Sequence, residues 1–296
     1  MMKKFLGIAA VLMTFTSCGA SAGNSETTAD SLQTKEITME PTTDKYVEIK
    51  TTAGDVVIKL FGDTPAHQAN FLKLVNEGYY DNTLFHRVIN KFMIQAGDPD
   101  SKNAAPGQHL GAGGPGYTIP AEIDYPKHFH KRGALAAARQ GDQVNPRRES
   151  SGSQFYIVTG DVVPANQIDA LARRAQQDEM QAEFGRLAES HMAEIRQMQA
   201  ANDREGLMAL QNKLIQEVEA KFKDKPAPQL PKDLVEAYTT VGGAPHLDGQ
   251  YTVFGEVVKG MDVVDKIEKA ETDGMDRPTT DIKILSTKVI EAPAGK

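Results

Sequence analysis

The chain of 296 residues has one cysteine, no tryptophan, and no apolar run long enough to span a bilayer comfortably. With Cys18 alone, no disulfide can form within the chain, and the fold must be held by its core. The formal charge is −7 and no basic patch is visible, which argues against a nucleic-acid surface. There is no side-chain cluster at metal-ligand spacing, no phosphate-cradling loop and no nucleophile–base motif. Neither metal nor cofactor is therefore expected. His128 and His130 stand beside Lys127 and Lys131 and read as surface residues rather than ligands. An apolar content of 40% suits one large domain or two modest ones.

Lys3 and Lys4 precede the apolar run 5–15, followed by Thr16, Ser17 and Cys18. This is the basic, apolar and small-residue order of a secretory signal, predicted over residues 1–17. It is similar to the lipobox of bacterial lipoproteins, with Phe15 in the first position. That similarity implies an acylated Cys18 and a protein anchored in the bacterial cell envelope, on the periplasmic side of the inner or outer membrane. The alternative is an ordinary signal with an incidental cysteine. Residues 18–45 are rich in Ser, Thr, Gly, Ala and acids and read as a flexible tether.

Strand-like runs flank the turn 51–55 and recur near 116–120, 134–138, 154–159, 252–258 and 282–290. A helix is predicted over 64–78, with Thr64 as N-cap, Pro65 at the first position and Gly78 at the stop. Its buried stripe would be Ala66, Ala69, Phe71, Leu72 and Val75. Residues 261–269 read as a second short amphipathic helix. Many strands with a helix near each end suggest a mainly β fold, a closed barrel capped by two helices.

Residues 161–243 break this pattern. Ile168, Leu171, Ala175, Phe184, Leu187, Met192, Ile195 and Met198 fall near helical spacing, and Leu207, Leu210, Leu214, Val218 and Phe222 repeat it after a break near 200–203. An inserted helical hairpin is predicted, closed by the prolines of 226–231, with a short helix over 232–239. It is either a solvated outgrowth or an arm for self-association or a partner.

The segment FHRVINKFMIQAGD (85–98) places Arg87 and Gln95 among apolar residues of a predicted hairpin. Buried polar groups of this kind are costly unless paired or used. The bland reading is an arginine whose stem lies on an apolar surface and whose head is in water. A two-residue turn at Asn90 and Lys91 would pair Arg87 with Ile94, leaving Arg87 and Phe92 on one face and Met93 and Gln95 on the other.

This segment, with GALAAA (133–138), GSQFYI (152–157) and HLDGQYTVFG (246–255), resembles in order the signature blocks of the cyclophilin family of peptidyl-prolyl cis-trans isomerases. The resemblance covers 46–160 and 244–292. It implies a cyclophilin-like barrel that binds proline-containing peptides and assists the folding of unfolded secreted proteins. It assigns Arg87 as the catalytic arginine and Gln95 as the residue orienting it. Phe92, Met93, Tyr156, Leu247 and Tyr251 would form the proline pocket, with Ala138, Arg139 and Gln154 contacting the peptide backbone. His86 is implied to be structural. Because all four of Arg87, Phe92, Met93 and Gln95 belong to one site, the resemblance demands a wider turn, a bulge or barrel curvature.

Three departures stand out. Arg139 replaces a common asparagine, Tyr251 a common histidine, and His246 the tryptophan of cyclosporin-sensitive members. The loop 140–151 is longer than in compact members and carries Arg147, Arg148 and Glu149. It would reshape one wall of the groove or lie solvated. The alternative to an enzyme is a non-catalytic, chaperone-like binding or scaffold module that uses the groove and the helical arm.

Overall fold

A computed structural model describes residues 42–226 and 229–293. The predicted signal, Cys18 and nearly all of the tether lie outside the described residues. Contacts divide the chain into a barrel unit, which runs to Gln167 and resumes at Leu230, and a helical unit, Ile168–Gln229.

The barrel unit begins with β1 (Lys45–Thr51) and β2 (Gly54–Leu60), so the last tether residue already belongs to a strand. Helix α1 (Pro65–Asn76) follows, then β3 (Arg87–Ile89), β4 (Met93–Ala96), β5 (Thr118–Ile119), β6 (Ala134–Ala137), β7 (Ser150–Ser151) and β8 (Phe155–Val158). Helices α2 (Ala165–Ser190), α3 (Met192–Ala200) and α4 (Arg204–Phe222) come next, then α5 (Lys232–Thr240), β9 (Val253–Lys259), α6 (Met261–Glu268) and β10 (Ile284–Ile290). Eight strands form one antiparallel sheet in the order β10-β1-β2-β9-β6-β8-β4-β3. The expected closure is incomplete. Among the described residues the edge strands β3 and β10 form no ladder, and the seam is crossed beside them by the bridge Leu84–Lys283 and by backbone bonds from Asn82 N to Ile284 O, Ile284 N to Thr83 O and Phe85 N to Ile282 O.

Successive side chains of β4, β6 and β8 point to opposite faces, and apart from Gln95 and the Tyr156 hydroxyl they are apolar on both. Ile94, Leu135, Ala137, Phe155 and Ile157 enter the main core with Phe71 and Leu74 of α1 and Val264 and Ile267 of α6. Met93, Ala134, Ala136, Tyr156 and Val158 face the other way and form a second cluster with Val253 and Ala244. That second cluster is the floor of the groove.

Helix α1 differs from expectation at its start and along its buried face. The Thr64 side chain makes no capping bond and donates to Phe61 O instead. The cap comes from Glu122, whose carboxylate accepts from the backbone N–H of Ala66 and His67. The buried face includes His67 and Gln68, whereas Ala69 is exposed. His67 Nδ1 lies 2.6 Å from Glu122 and Nε2 lies 2.9 Å from Ser150 Oγ, so burial is met by pairing.

In the helical unit, α2 and α3 are one run interrupted at His191. Asp203 caps α4 by accepting from Gly206 N. Phe184, Ile195, Leu210, Leu214, Val218 and Phe222 close a separate core. Lys221 ties α4 to Glu183 of α2 at 2.9 Å. Of the segment 161–243, residues 161–167 and 230–243, which include α5, group with the barrel unit.

Candidate active site

The β3–β4 connection is wider than a two-residue turn. Asn90, Lys91 and Phe92 form the loop, with Lys91 in the left-handed region at φ +61° and Phe92 N donating to Ile89 O. The extra residue shifts the register by one: Arg87 pairs with Gln95, Val88 with Ile94 and Ile89 with Met93. This corrects the two-residue register, because a one-residue shift moves a whole strand's side chains to the opposite face. Gln95 in turn pairs with Tyr156, and Tyr156 with Ala136. Arg87, Gln95, Tyr156 and Ala136 thus form one row across four strands.

Arg87, Gln95 and Tyr156 of this row line a cavity of about 340 Å³. Of the residues expected at the site, Arg87, Phe92, Met93, Gln95, Ala138, Arg139, Tyr156, Leu247 and Tyr251 all line it. Gln154 lies beside it, lining a neighbouring groove of about 670 Å³ that shares Gln95, Ala138 and Arg139. His246 is outside the lining, and its ring packs on Phe92 at 5.2 Å. Cys18 lies outside the described residues.

The polar groups are fixed by identifiable bonds. Gln95 Nε2 donates to Gln154 Oε1 at 3.0 Å, and Gln154 Nε2 donates to the carbonyls of Gly111 and Gly113. Gly113 must lack a side chain, since a Cβ would fall 2.1 Å from Asp98 Oδ1. The resemblance gave Gln95 the task of orienting Arg87, but here the guanidinium reaches a different partner, with Nε 3.4 Å from Asp276 Oδ2. Arg139 is held by Gln250 O and Asp142 and lies over the Tyr251 ring at 4.5 Å. His86 also lines the cavity, and burial pulls its imidazole below the usual histidine range.

Sequence reasoning missed His109, Leu110 and Gly111 on one wall, and Met275 and Arg277 on another. The glycines of 111–116 were the available signal for a backbone wall. Arg277 is buried and donates to Ala105 O and Asp281, fastening the turn that carries Asp276. The two histidines expected on the surface are also corrected: the His130 side chain is 1% exposed and the His128 side chain 12%. His128, Asp63 and Asp124 bring ligand atoms within 4.8 Å of one another, but the Lys127 ammonium already bridges the two carboxylates.

The cavity thus sets the cationic Arg87 and the Gln95 amide against the rings of Phe92, Tyr156 and Tyr251. The family model of the cyclophilin type peptidyl-prolyl cis-trans isomerases matches residues 46–220 and 235–289. A Streptococcus pyogenes protein, provisionally named a bifunctional phosphatase/peptidyl-prolyl cis-trans isomerase, is 30% identical over 264 residues, which is 88% of this chain and 42% of its own length. A Staphylococcus saprophyticus protein, provisionally named a peptidyl-prolyl cis-trans isomerase, is 29% identical over 244 residues, 81% of this chain and 89% of its own. A cyclophilin type isomerase from Cryptosporidium parvum, known as a crystal structure, aligns over 84% of this chain and 99% of its own with a TM-score of 0.49 and 22% identity. The chain belongs to the cyclophilin-type peptidyl-prolyl cis-trans isomerases.

Proposed function

We propose that the protein is a lipid-anchored isomerase of the bacterial envelope that speeds Xaa-Pro isomerisation in secreted proteins as they fold, with Arg87 as its catalytic group. The observation that carries the reading is the placement of Arg87 on the same cavity as Phe92, Met93, Tyr156 and Leu247. The barrier to be lowered is amide resonance, ~18–20 kcal/mol, which isomerises in tens to hundreds of seconds unaided. Reaching milliseconds requires about five decades, or roughly 7 kcal/mol.

No covalent bond to the substrate is needed. Twisting the amide localises the lone pair on the prolyl nitrogen and turns it into an acceptor. A guanidinium aimed at that nitrogen offers a charge-assisted bond that the planar amide cannot take, so the stabilisation is specific to the twisted state. Arginine suits the role because it stays charged and its planar fork can be held by a second group. The apolar rings and thioether bind the pyrrolidine and exclude water that would favour the planar dipole.

Refolding of a secreted client limited by proline isomerisation tests the whole reading. Wild-type protein should shorten the slow phase, and Arg87→Ala should not. A yield that persists in Arg87→Ala while the acceleration is lost would reveal a holding role beside catalysis, and no acceleration by wild type would favour the non-catalytic alternative. The envelope part is tested by Cys18→Ser, which should release the protein from the membrane fraction. Retention there would refute the lipid anchor.

A further inference from the structure

Tyr156 stands where the family often carries phenylalanine, and its phenol is 5% exposed in the wall of the proline pocket. A buried hydroxyl without a partner costs about 1–3 kcal/mol. It would also be free to turn toward the bound peptide. The structure leads it away from the pocket instead. Tyr156 Oη lies 3.0 Å from His130 Nε2. His130 Nδ1 lies 3.0 Å from Asp248 Oδ1, which also accepts from the His130 backbone N–H at 2.9 Å. The other oxygen, Oδ2, accepts from Tyr238 Oη at 2.7 Å. A carboxylate can only accept, so in the neutral imidazole Nδ1 of His130 carries the proton and Nε2 accepts from Tyr156. Every proton of the relay points toward Asp248.

All four side chains are enclosed: Tyr238 is fully buried, and the His130 and Asp248 side chains are 1% and 8% exposed. Burial, with Tyr251 nearby, holds the Tyr156 phenol far above its ordinary range, and burial with the Asp248 charge does the same for Tyr238. Both therefore remain donors.

Tyr238 belongs to α5, the helix through which the chain returns from the inserted segment. The return is bonded into the barrel unit at several points. Val163 N donates to Tyr238 O, Arg132 N to Gly242 O and Ala244 N to His130 O, each at 2.8 Å. Gly243 is required at this crossing, since a Cβ would fall 2.3 Å from His130 O.

We propose that Tyr238, Asp248 and His130 are positioning residues for the groove: they hold the Tyr156 hydroxyl out of the pocket, so that α5 helps set the pocket wall. Tyr156 contacts the pyrrolidine ring in planar and twisted amide alike. Loss of the relay therefore weakens uniform binding, raising KM and leaving kcat in place. This kinetic readout rests on the isomerase reading above.

The test is a double-mutant cycle of wild type, Tyr238→Phe, Tyr156→Phe and the pair, in the full chain with an Ala-Pro peptide. Tyr238→Phe should raise KM roughly three- to tenfold with kcat unchanged, the scale of one lost buried hydrogen bond. In the Tyr156→Phe background, which has no hydroxyl to place, the same change should have no further effect. His130→Asn keeps a donor toward Asp248 and deletes the acceptor for Tyr156. It should raise KM alike, again only while Tyr156 is present, and it serves if Tyr238→Phe does not fold. An unchanged KM, or a rise that persists without the Tyr156 hydroxyl, would overturn the relay. If wild type does not accelerate isomerisation, the isomerase reading fails separately. The same cycle then reads the dissociation constant of the peptide, with the same expectation.

Discussion

Arg87, which lines the groove, pairs with Asp276 beside it, with Nε 3.4 Å from Oδ2 and both side chains nearly half exposed. The same turn donates its backbone to the strand, since the Asp276 carbonyl accepts from Val88 N. Asp273 Oδ1 fixes the turn by accepting from the N–H groups of Met275 and Arg277. Asp276 lies in the left-handed region at φ +62°, a conformation that asparagine also tolerates.

Asp276→Asn should therefore keep the turn while removing the charge that steadies Arg87. An exposed pair of this kind is worth about 0.2–1 kcal/mol, so kcat/KM is expected to fall at most about fivefold, with an unchanged melting temperature. A tenfold loss, or a gain, in steady-state kinetics would show that the pairing matters differently.

Glu122 gives a pH-dependent term in stability. Burial opposes its ionisation, but the His67 side chain and the N–H groups of Ala66 and His67 together pull it below its ordinary value near 4.5. A carboxylate depressed on folding stabilises above its unfolded value, and that contribution fades as pH falls through the folded value. Urea midpoints at pH 7 and pH 3 should separate wild type from Glu122→Gln at the higher pH and narrow that gap at the lower. A constant gap would contradict the assignment.

The helical unit has a core of its own, in which Leu214 is fully buried. Leu214→Ala should destabilise residues 168–229 by about 2–5 kcal/mol, read by hydrogen exchange, with kcat/KM unaltered. Loss of activity in step with that local loosening would give the arm a catalytic role.

The absence of tryptophan also has a consequence. His246 packs on Phe92 where cyclosporin-sensitive relatives place an indole, so cyclosporin should bind weakly. A submicromolar dissociation constant by calorimetry would refute this.

The strands apart from β7, which falls in the expected loop 140–151, both capping helices and nine residues of the pocket lining were legible because alternation, helical spacing and the four signature blocks are local patterns. The Arg87–Gln95 pairing was not, because it depends on a left-handed Lys91, a conformation no rule assigns to lysine. Burial of His67 and His130 was also hidden. Periodicity counts polar residues as exposed, and their partners, Glu122 and Asp248, are remote in sequence. Asp276 and Arg277 sit in an aperiodic turn, so only the folded chain brings them to the groove.

The most direct test is the cis-to-trans rate of an Ala-Pro peptide with wild-type and Arg87→Ala proteins. The account predicts clear acceleration by wild type and a loss of at least about tenfold in the variant, the scale of removing a preorganised donor from a dry site. Equal acceleration by both proteins would contradict Arg87 as the catalytic group, and no acceleration by wild type would contradict the enzyme itself.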